Sequence, residues 1–279
     1  MLKILLGLES ENYDHPPVLI GKLIAQAVPS LVDILILVPE GGHWENAEAM
    51  KEQVTADFEE IKIDVFVREG KSLDVYRHFL SEREYHLVIF SPEYVGPLRR
   101  KKKINPALKE REGLSMLLSE NPKPKLERIL LPTACKAGDH SLVSAGARLA
   151  KALDANLTLL HVTSGNVPAM YTGLDQLEET VEELLQTDTP FAKHLRKGVS
   201  ILNAHQVKSE VKIRRGVPLE EIVRETQIEN YDLVVIGETE ANEDIRGRLM
   251  GNLTSKIIDE IKMPVLIVND RLFPEDQNG

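Results

Sequence analysis

Residues 230–235 of this chain read Asn-Tyr-Asp-Leu-Val-Val, and the same pattern stands at residues 84–89 as Glu-Tyr-His-Leu-Val-Ile. Upstream of each copy lies a second matched stretch, Arg214-Arg215-Gly216 and Arg68-Glu69-Gly70, at the same offset of 146 residues. A repeat of this length is typical of a duplicated domain rather than of a short solenoid unit. The 279 residues therefore predict two domains of ordinary size.

Outward from the repeat, short apolar runs alternate with stretches of helical periodicity. The predicted strands are 2–8, 32–38, 63–67 and 87–90 in the first half, and 128–132, 156–162, 210–214, 233–236 and 264–268 in the second. The predicted helices are 16–28, 46–61 and 72–81, then 141–153, 190–206, 218–229 and 253–261. This alternation predicts an α/β fold, with two tandem open sheets of parallel strands in the Rossmann-like style.

The first half departs from this order after Phe90. The basic run Arg99–Lys103 lies among prolines, a helix is predicted over Pro106–Ser119, and residues 121–125 read as a linker. No fifth strand fits before Leu126, so the strand at 264–268 is expected to have an open edge. An open edge favours pairing with another chain, which predicts a homo-oligomer or a protein partner.

Composition excludes several classes of function. The net charge of −10 and the 5% aromatic content argue against broad binding of nucleic acid or of anionic membranes. The single cysteine, Cys135, excludes an internal disulfide. No apolar run is long enough to span a membrane, and the chain opens on a strand-like run rather than a signal peptide, so we expect a cytoplasmic protein without membrane insertion.

The second half carries a family likeness. Residues 129–133 (Ile-Leu-Leu-Pro-Thr), 157–162 (Leu-Thr-Leu-Leu-His-Val), 231–237 (Tyr-Asp-Leu-Val-Val-Ile-Gly) and 262–268 (Lys-Met-Pro-Val-Leu-Ile-Val) resemble the universal stress protein domain. The resemblance implies an adenine-nucleotide-alpha-hydrolase-like fold. It places a domain at residues 126–270, a degenerate copy at 1–120 and a polar tail at 271–279. The whole chain looks like a tandem universal stress protein.

One branch of that family binds ATP through a fingerprint of glycines followed by Ser or Thr, which lets backbone N–H groups reach phosphate oxygens. The resemblance implies these candidate binding residues: Pro132, Thr133, Gly237, Gly251, Asn252 and Thr254. The match is degenerate, because Glu240 replaces the second glycine, the spacing is one residue too long, and Ala134 stands where the family commonly has Asp. The alternative is that Gly237 and Gly251 serve only the strand exit and the helix start.

In the first half the fingerprint is absent. Glu9 is a candidate for the family's aspartate, and the alternative is a solvated loop acid. The run Arg99–Lys103 is predicted to be an exposed loop, whose role would be electrostatic docking rather than catalysis.

No nucleophile has a recognisable activator nearby in the sequence. Cys135 follows a strand at the edge where α/β proteins bind ligands, and it is either a reactive thiol or an inert small residue. The four histidines of the second half, His140, His161, His194 and His205, lack the spacing of metal ligands, and His161 lies inside an apolar strand as a core histidine would. We therefore expect no catalytic residue and no metal site.

Together these features predict a non-catalytic stress-response or regulatory protein that acts through protein interaction or dimerisation. We expect it to need no cofactor. The alternative is a switch that binds an adenine nucleotide, ATP or AMP, in the second domain.

Overall fold

A computed structural model describes residues 1–11, 16–91, 114–136, 139–163, 181–237, 253–254, 256–269 and 272–273. The strands are β1 (Leu2–Glu9), β2 (Ser30–Val38), β3 (Ile63–Glu69), β4 (Leu87–Phe90), β5 (Ser115–Leu118), β6 (Arg128–Thr133), β7 (Asn156–Thr163), β8 (Ser209–Arg215), β9 (Leu233–Gly237) and β10 (Val265–Val268). The helices are α1 (Pro16–Ala27), α2 (Trp44–Asp57), α3 (Ser72–Glu82), α4 (Asp139–Leu153), α5 (Val181–Gln186), α6 (Pro190–Ala204) and α7 (Pro218–Ile228). Residues 253–254 and 256–260 are also helical. The α/β class predicted from the sequence is confirmed.

The chain divides into two compact units. Unit 1 consists of Met1–Leu126 with Glu238–Gly279, and unit 2 consists of Glu127–Gly237. The domain limits proposed from the sequence, 1–120 and 126–270, stay a prediction. Across the part of the chain that the structure describes, no helix is both long and apolar enough to cross a membrane.

Unit 1 contains a mostly parallel sheet in the order β3-β2-β1-β4-β5-β10. The strands from β3 to β5 run parallel, and β10 closes this order by pairing antiparallel with β5. The centre of the sheet is apolar on both faces, since Ile4, Leu5 and Leu6 are all fully buried. Near-continuous burial of this kind is what helices on both faces of a parallel sheet produce.

The prediction that the first half lacks a fifth strand is wrong. Residues Ser115–Leu118, which were assigned to a helix, form β5; it lies beside β4 and its Met116 is opposite Ile267 of β10. The four residues contain no β-branched side chain, so local propensity favours a helix, and burial between two strands overrides it. The edge of β10 that was expected to be open is therefore paired within the chain. Residues 106–113 of the helix predicted over 106–119 lie outside the described residues.

Unit 2 has four parallel strands in the order β9-β6-β7-β8. Helices α4 and α6 pack against each other. Gly198 of α6 permits close packing on the sheet, because an added Cβ would lie 3.1 Å from Leu159 of β7.

The internal repeat is confirmed in the structure. Strands β3 and β8, helices α3 and α7, and strands β4 and β9 each begin 146 residues apart. The likeness extends to single hydrogen bonds: His86 Nδ1 accepts the Lys3 N–H at 2.9 Å, and Asp232, 146 residues later, accepts the Arg128 N–H at 2.8 Å. Different residue types thus satisfy the same backbone donor in each unit.

Candidate functional site

The carboxyl end of β6 is the edge of unit 2 where α/β proteins bind ligands. Here β6 ends at Thr133 and α4 begins at Asp139. The Asp139 carboxylate accepts a hydrogen bond from the Thr133 hydroxyl at 2.6 Å. The same carboxylate accepts the Lys136 N–H at 3.2 Å, and Thr133 Oγ1 accepts the Cys135 N–H at 3.1 Å. These bonds hold Cys135 at a φ of 56°, a left-handed conformation that non-glycine residues adopt infrequently. The polar atoms of the loop are therefore directed at one another.

His161 lies on β7 opposite Thr133 and is buried, as its apolar strand predicted. Its Nδ1 is 3.0 Å from the Thr133 carbonyl oxygen, and because a carbonyl can only accept, Nδ1 carries the proton. The Cys135 Sγ lies 3.3 Å from this same Nδ1. A nitrogen that already bears a proton cannot remove one from the thiol, so the close thiol–imidazole contact is not an activated nucleophile.

The thiol itself is held in its neutral form. Burial raises the pKa of Cys135 to about 12; the hydrogen bond from Thr133 opposes this rise, and the charge of Asp139 adds to it. A nucleophilic cysteine needs the opposite shift, towards a stable thiolate at neutral pH. The structure therefore favours the inert interpretation of Cys135.

Two further histidines meet where α4 packs against α6. The rings of His140 and His194 stack with centroids 4.1 Å apart and planes 16° from parallel. Both Nε2 atoms are shielded from solvent and have no hydrogen-bond partner among the residues that the structure describes. Burial lowers the pKa of His194, as do the nearby His140, His161 and Lys197, while Asp139 opposes the shift. Within the described ranges no three His, Cys, Asp or Glu side chains form a group suited to a metal ion.

The site residues proposed from the sequence are only partly placed. Pro132 and Thr133 end β6, and Gly237 ends the neighbouring β9; the register that pairs Ile129 with Leu233 puts Gly237 level with Thr133 when it is continued. Among the described residues, a Cβ at Gly237 would meet only Leu142 Cδ2, at an ordinary 3.4 Å, so their packing does not require glycine there.

The other proposed residues are distributed differently. Thr254 is buried and belongs to unit 1. Gly251 and Asn252 lie outside the described residues, as do Glu240 and the basic run Arg99–Lys103.

The corresponding edge of unit 1 is filled by an aromatic side chain. A Cβ at Gly7 of β1 would lie 1.5 Å from the hydroxyl oxygen of Tyr76, so this glycine is required by the close approach of the phenol. Glu9, the proposed stand-in for the family's aspartate, is the last residue of β1 and is half-buried.

Comparison with known proteins identifies the family. The model of the "Universal stress protein family" matches residues 125–269, more than half of the chain. The chain belongs to the universal stress protein family. A curated relative, Universal stress protein MJ0531 from Methanocaldococcus jannaschii, is 28% identical over 144 residues, which cover 51% of this chain and 81% of that protein.

Solved structures agree on the fold of this universal stress protein. A universal stress protein from Archaeoglobus fulgidus is 13% identical with a TM-score of 0.63, and the match covers 96% of both chains. The functionally unknown protein PA1789 from Pseudomonas aeruginosa is 18% identical with a TM-score of 0.65, covering 97% of this chain and 93% of that one. At these identities the likeness shows the fold alone.

Sequence reasoning missed two features of the site. Asp139 carried a usable signal, since an acidic residue that opens an apolar-periodic helix is often the group that caps the preceding turn. The pairing of His140 with His194 carried none, because 54 residues separate them and only the packing of α4 on α6 brings them together.

Proposed function

We propose that this universal stress protein is a non-catalytic regulatory module that acts by binding a protein partner or a second copy of itself. Membership of the family supports the stress-response role. The observation that carries the non-catalytic part is the closed set of hydrogen bonds after β6. There Thr133, Asp139 and His161 satisfy one another, and the neighbouring thiol is held neutral.

The strand pairing within the chain limits which surfaces can bind a partner. The edge of β10 that the sequence left open is paired with β5, so this edge is not available to another chain. We infer that association uses other surfaces, and the net charge of −10 favours a partner with a basic face. Such an association weakens as salt screens the charges over about 8 Å at physiological ionic strength.

For the nucleotide, we propose an affinity for ATP no tighter than the millimolar range. The support is chemical: Glu240 puts a carboxylate where the fingerprint has glycine, and Ala134 lacks the aspartate that the resemblance would require. Two unit charges about 4 Å apart interact by roughly 4 kcal/mol at an intermediate dielectric, which is enough to offset several phosphate hydrogen bonds.

The test is a pair of measurements on the purified full chain. Isothermal titration with ATP should show no binding at micromolar concentrations, and light scattering at rising protein concentration should show species above 31.3 kDa. Binding of ATP at low micromolar concentration that Gly251→Val abolishes would overturn the proposal in favour of a nucleotide switch. A particle that stays at 31.3 kDa leaves a different protein as the partner, which crosslinking at low and high salt would then identify.

A further inference from the structure

The stacked histidine pair lies between helices α4 and α6. One turn further along each helix, Val143 of α4 lies against Gly198 of α6, within 3.9 Å of where a Cβ would be. His140 and His194 continue this contact towards the start of both helices, with ring centroids 4.1 Å apart. Phe191, in the first turn of α6, stacks on His161 at 5.7 Å, and its carbonyl oxygen lies 4.0 Å from the Cys135 sulfur. The start of α6 therefore contacts Cys135, which is half-buried, in the loop after β6.

The geometry of the pair has no place for an added proton. A neutral imidazole has one N–H and one lone pair, whereas an imidazolium has two N–H donors. In nearly parallel rings the nitrogens point along the ring planes, so neither ring can accept a hydrogen bond from the other. Whichever nitrogen carries the proton of the neutral ring, the imidazolium would place a positive charge and an N–H at a buried Nε2 that has no acceptor among the described residues, which is costly.

The surroundings of the pair reinforce this cost. Among the described residues, the charged or titratable groups that face it are Asp139 from α4, Lys197 from α6 and His161 from β7. Beside His161 stands the Cys135 thiol of the loop after β6, which is uncharged. A single carboxylate therefore opposes a lysine and a neighbouring imidazole.

We propose that the His140–His194 pair is an acid-sensitive latch, whose protonation separates the start of α6 from α4 and uncovers the loop that carries Cys135. Once the rings part, both Nε2 atoms reach water, so the open form binds protons more readily than the closed one. Because the pKa of His194 is lowered in the closed form, the closed form is fully favoured above the ordinary histidine value of about 6.5. That preference is lost as the pH falls through the lowered pKa. This inference concerns unit 2 itself and goes beyond the proposed partner binding.

Cys135 is the only cysteine in the sequence, so its labelling reports on this loop alone. The probe is 4,4′-dithiodipyridine, which reacts with thiols at acid pH. Each rate is divided by the rate of the urea-unfolded chain at the same pH, which removes the thiol's own pH dependence. We expect the normalised rate to rise about tenfold between pH 7 and pH 5. The reason is that opening with the uptake of one proton raises the opening equilibrium constant by up to tenfold for each pH unit that the pH falls.

Variants separate the latch from other acid effects. The double change His140→Phe and His194→Phe keeps two stacked rings without a titratable nitrogen, and it should flatten the pH response. His205→Gln, at the far end of α6, should behave as the wild type. In the wild type, backbone hydrogen exchange, divided at each pH by the exchange rate of the unfolded chain, should be faster at pH 5 than at pH 7 at the start of α6 and not in α7, which tests the latch even if the double variant folds poorly.

A flat normalised rate in the wild type would overturn the proposal. The same is true of an unchanged pH response in the folded double variant, or of a rate increase that accompanies loss of the far-UV circular dichroism of the whole chain.

Discussion

Glu225 on α7 is the side chain whose removal should most affect unit 2. It is fully buried, and its carboxylate accepts hydrogen bonds from Lys212 Nζ at 2.9 Å, Tyr231 Oη at 2.8 Å and Arg214 Nε at 2.6 Å. A second Arg214 nitrogen also contacts it. The cations come from β8, so the carboxylate ties α7 to the edge strand of the unit.

The change Glu225→Gln keeps the shape and removes the charge. Hydrogen bonds to charged groups contribute roughly 1.5–3 kcal/mol each, and breaking a fully buried ion pair costs roughly 3–5 kcal/mol. The side chains of Lys212 and Arg214 remain 26% and 24% exposed, so water recovers part of that loss. We therefore expect unit 2 to lose about 2–3 kcal/mol of its free energy of unfolding at pH 7.

The assay is native-state hydrogen exchange of the peptides that cover β8 and α7. A loss of that size corresponds to exchange that is roughly 30- to 140-fold faster. The exposed Glu220 lies on the same helix, and Glu220→Gln serves as the control, with an expected effect under about 0.5 kcal/mol.

The pH dependence gives an independent check. Burial raises the pKa of Glu225, but the hydrogen bonds from Lys212, Tyr231 and Arg214 outweigh burial and lower it overall. The carboxylate therefore stabilises unit 2 above the unfolded value of about 4.3, and this stabilisation is lost as the pH falls through the lowered pKa. The difference between wild type and Glu225→Gln should shrink in acid. Exchange that is within a factor of two of the wild type at pH 7 would refute the reasoning.

Two predictions concern unit 1, both detected through the fluorescence of Trp44, the single tryptophan of the chain. Ile267→Pro removes a backbone donor from β10, which pairs with β5, so the urea midpoint should fall while the particle mass by light scattering stays unchanged. A changed mass at unaltered stability would show instead that this strand pairs between chains. His86→Asp supplies the residue type that accepts the Arg128 N–H in unit 2. Burial, and after it the charge of Lys3, lowers the pKa of His86, so the stability that neutral His86 contributes is complete above about pH 6.5 and is lost as the pH falls below it. The variant should therefore lose less stability than the wild type between pH 7 and pH 5. An equal loss of stability in both proteins would contradict this prediction.

The two units use different chemistry at several equivalent positions. Of the residues of unit 2 that hold α7 to β8, Lys212, Glu225 and Glu229 correspond to Phe66, Phe79 and Arg83 of unit 1, 146 positions earlier, whereas Arg214 and Tyr231 correspond to Arg68 and Tyr85. In unit 1 the rings of Phe66 and Phe79 meet edge to face at 5.1 Å, and the Arg83 guanidinium lies 4.7 and 4.5 Å from their centres. A charged cluster in one copy and an aromatic cluster in the other thus fix the same helix to the same strand.

The sequence by itself determined the repeat, the α/β class and most of the elements. These follow from local features: apolar runs of strand length, helical periodicity and matched residues at a constant offset. Each of them can be recognised without knowing which elements pack together in the fold. The interpretation of His161 as a core histidine was also local, because a polar residue inside a buried apolar run must have its hydrogen bonds satisfied within the core.

Tertiary structure decided the rest. Ser115–Leu118 forms a strand because β4 and β10 lie on either side of it, and no property of these four residues predicts that they pair with those strands. Likewise the state of Cys135 depends on which nitrogen of His161 carries a proton, and that is set by the Thr133 carbonyl oxygen across the β6–β7 pair. The His140–His194 contact depends on how two helices pack. Pairing partners, proton positions and burial are properties of groups far apart in the chain, so only the folded arrangement can specify them.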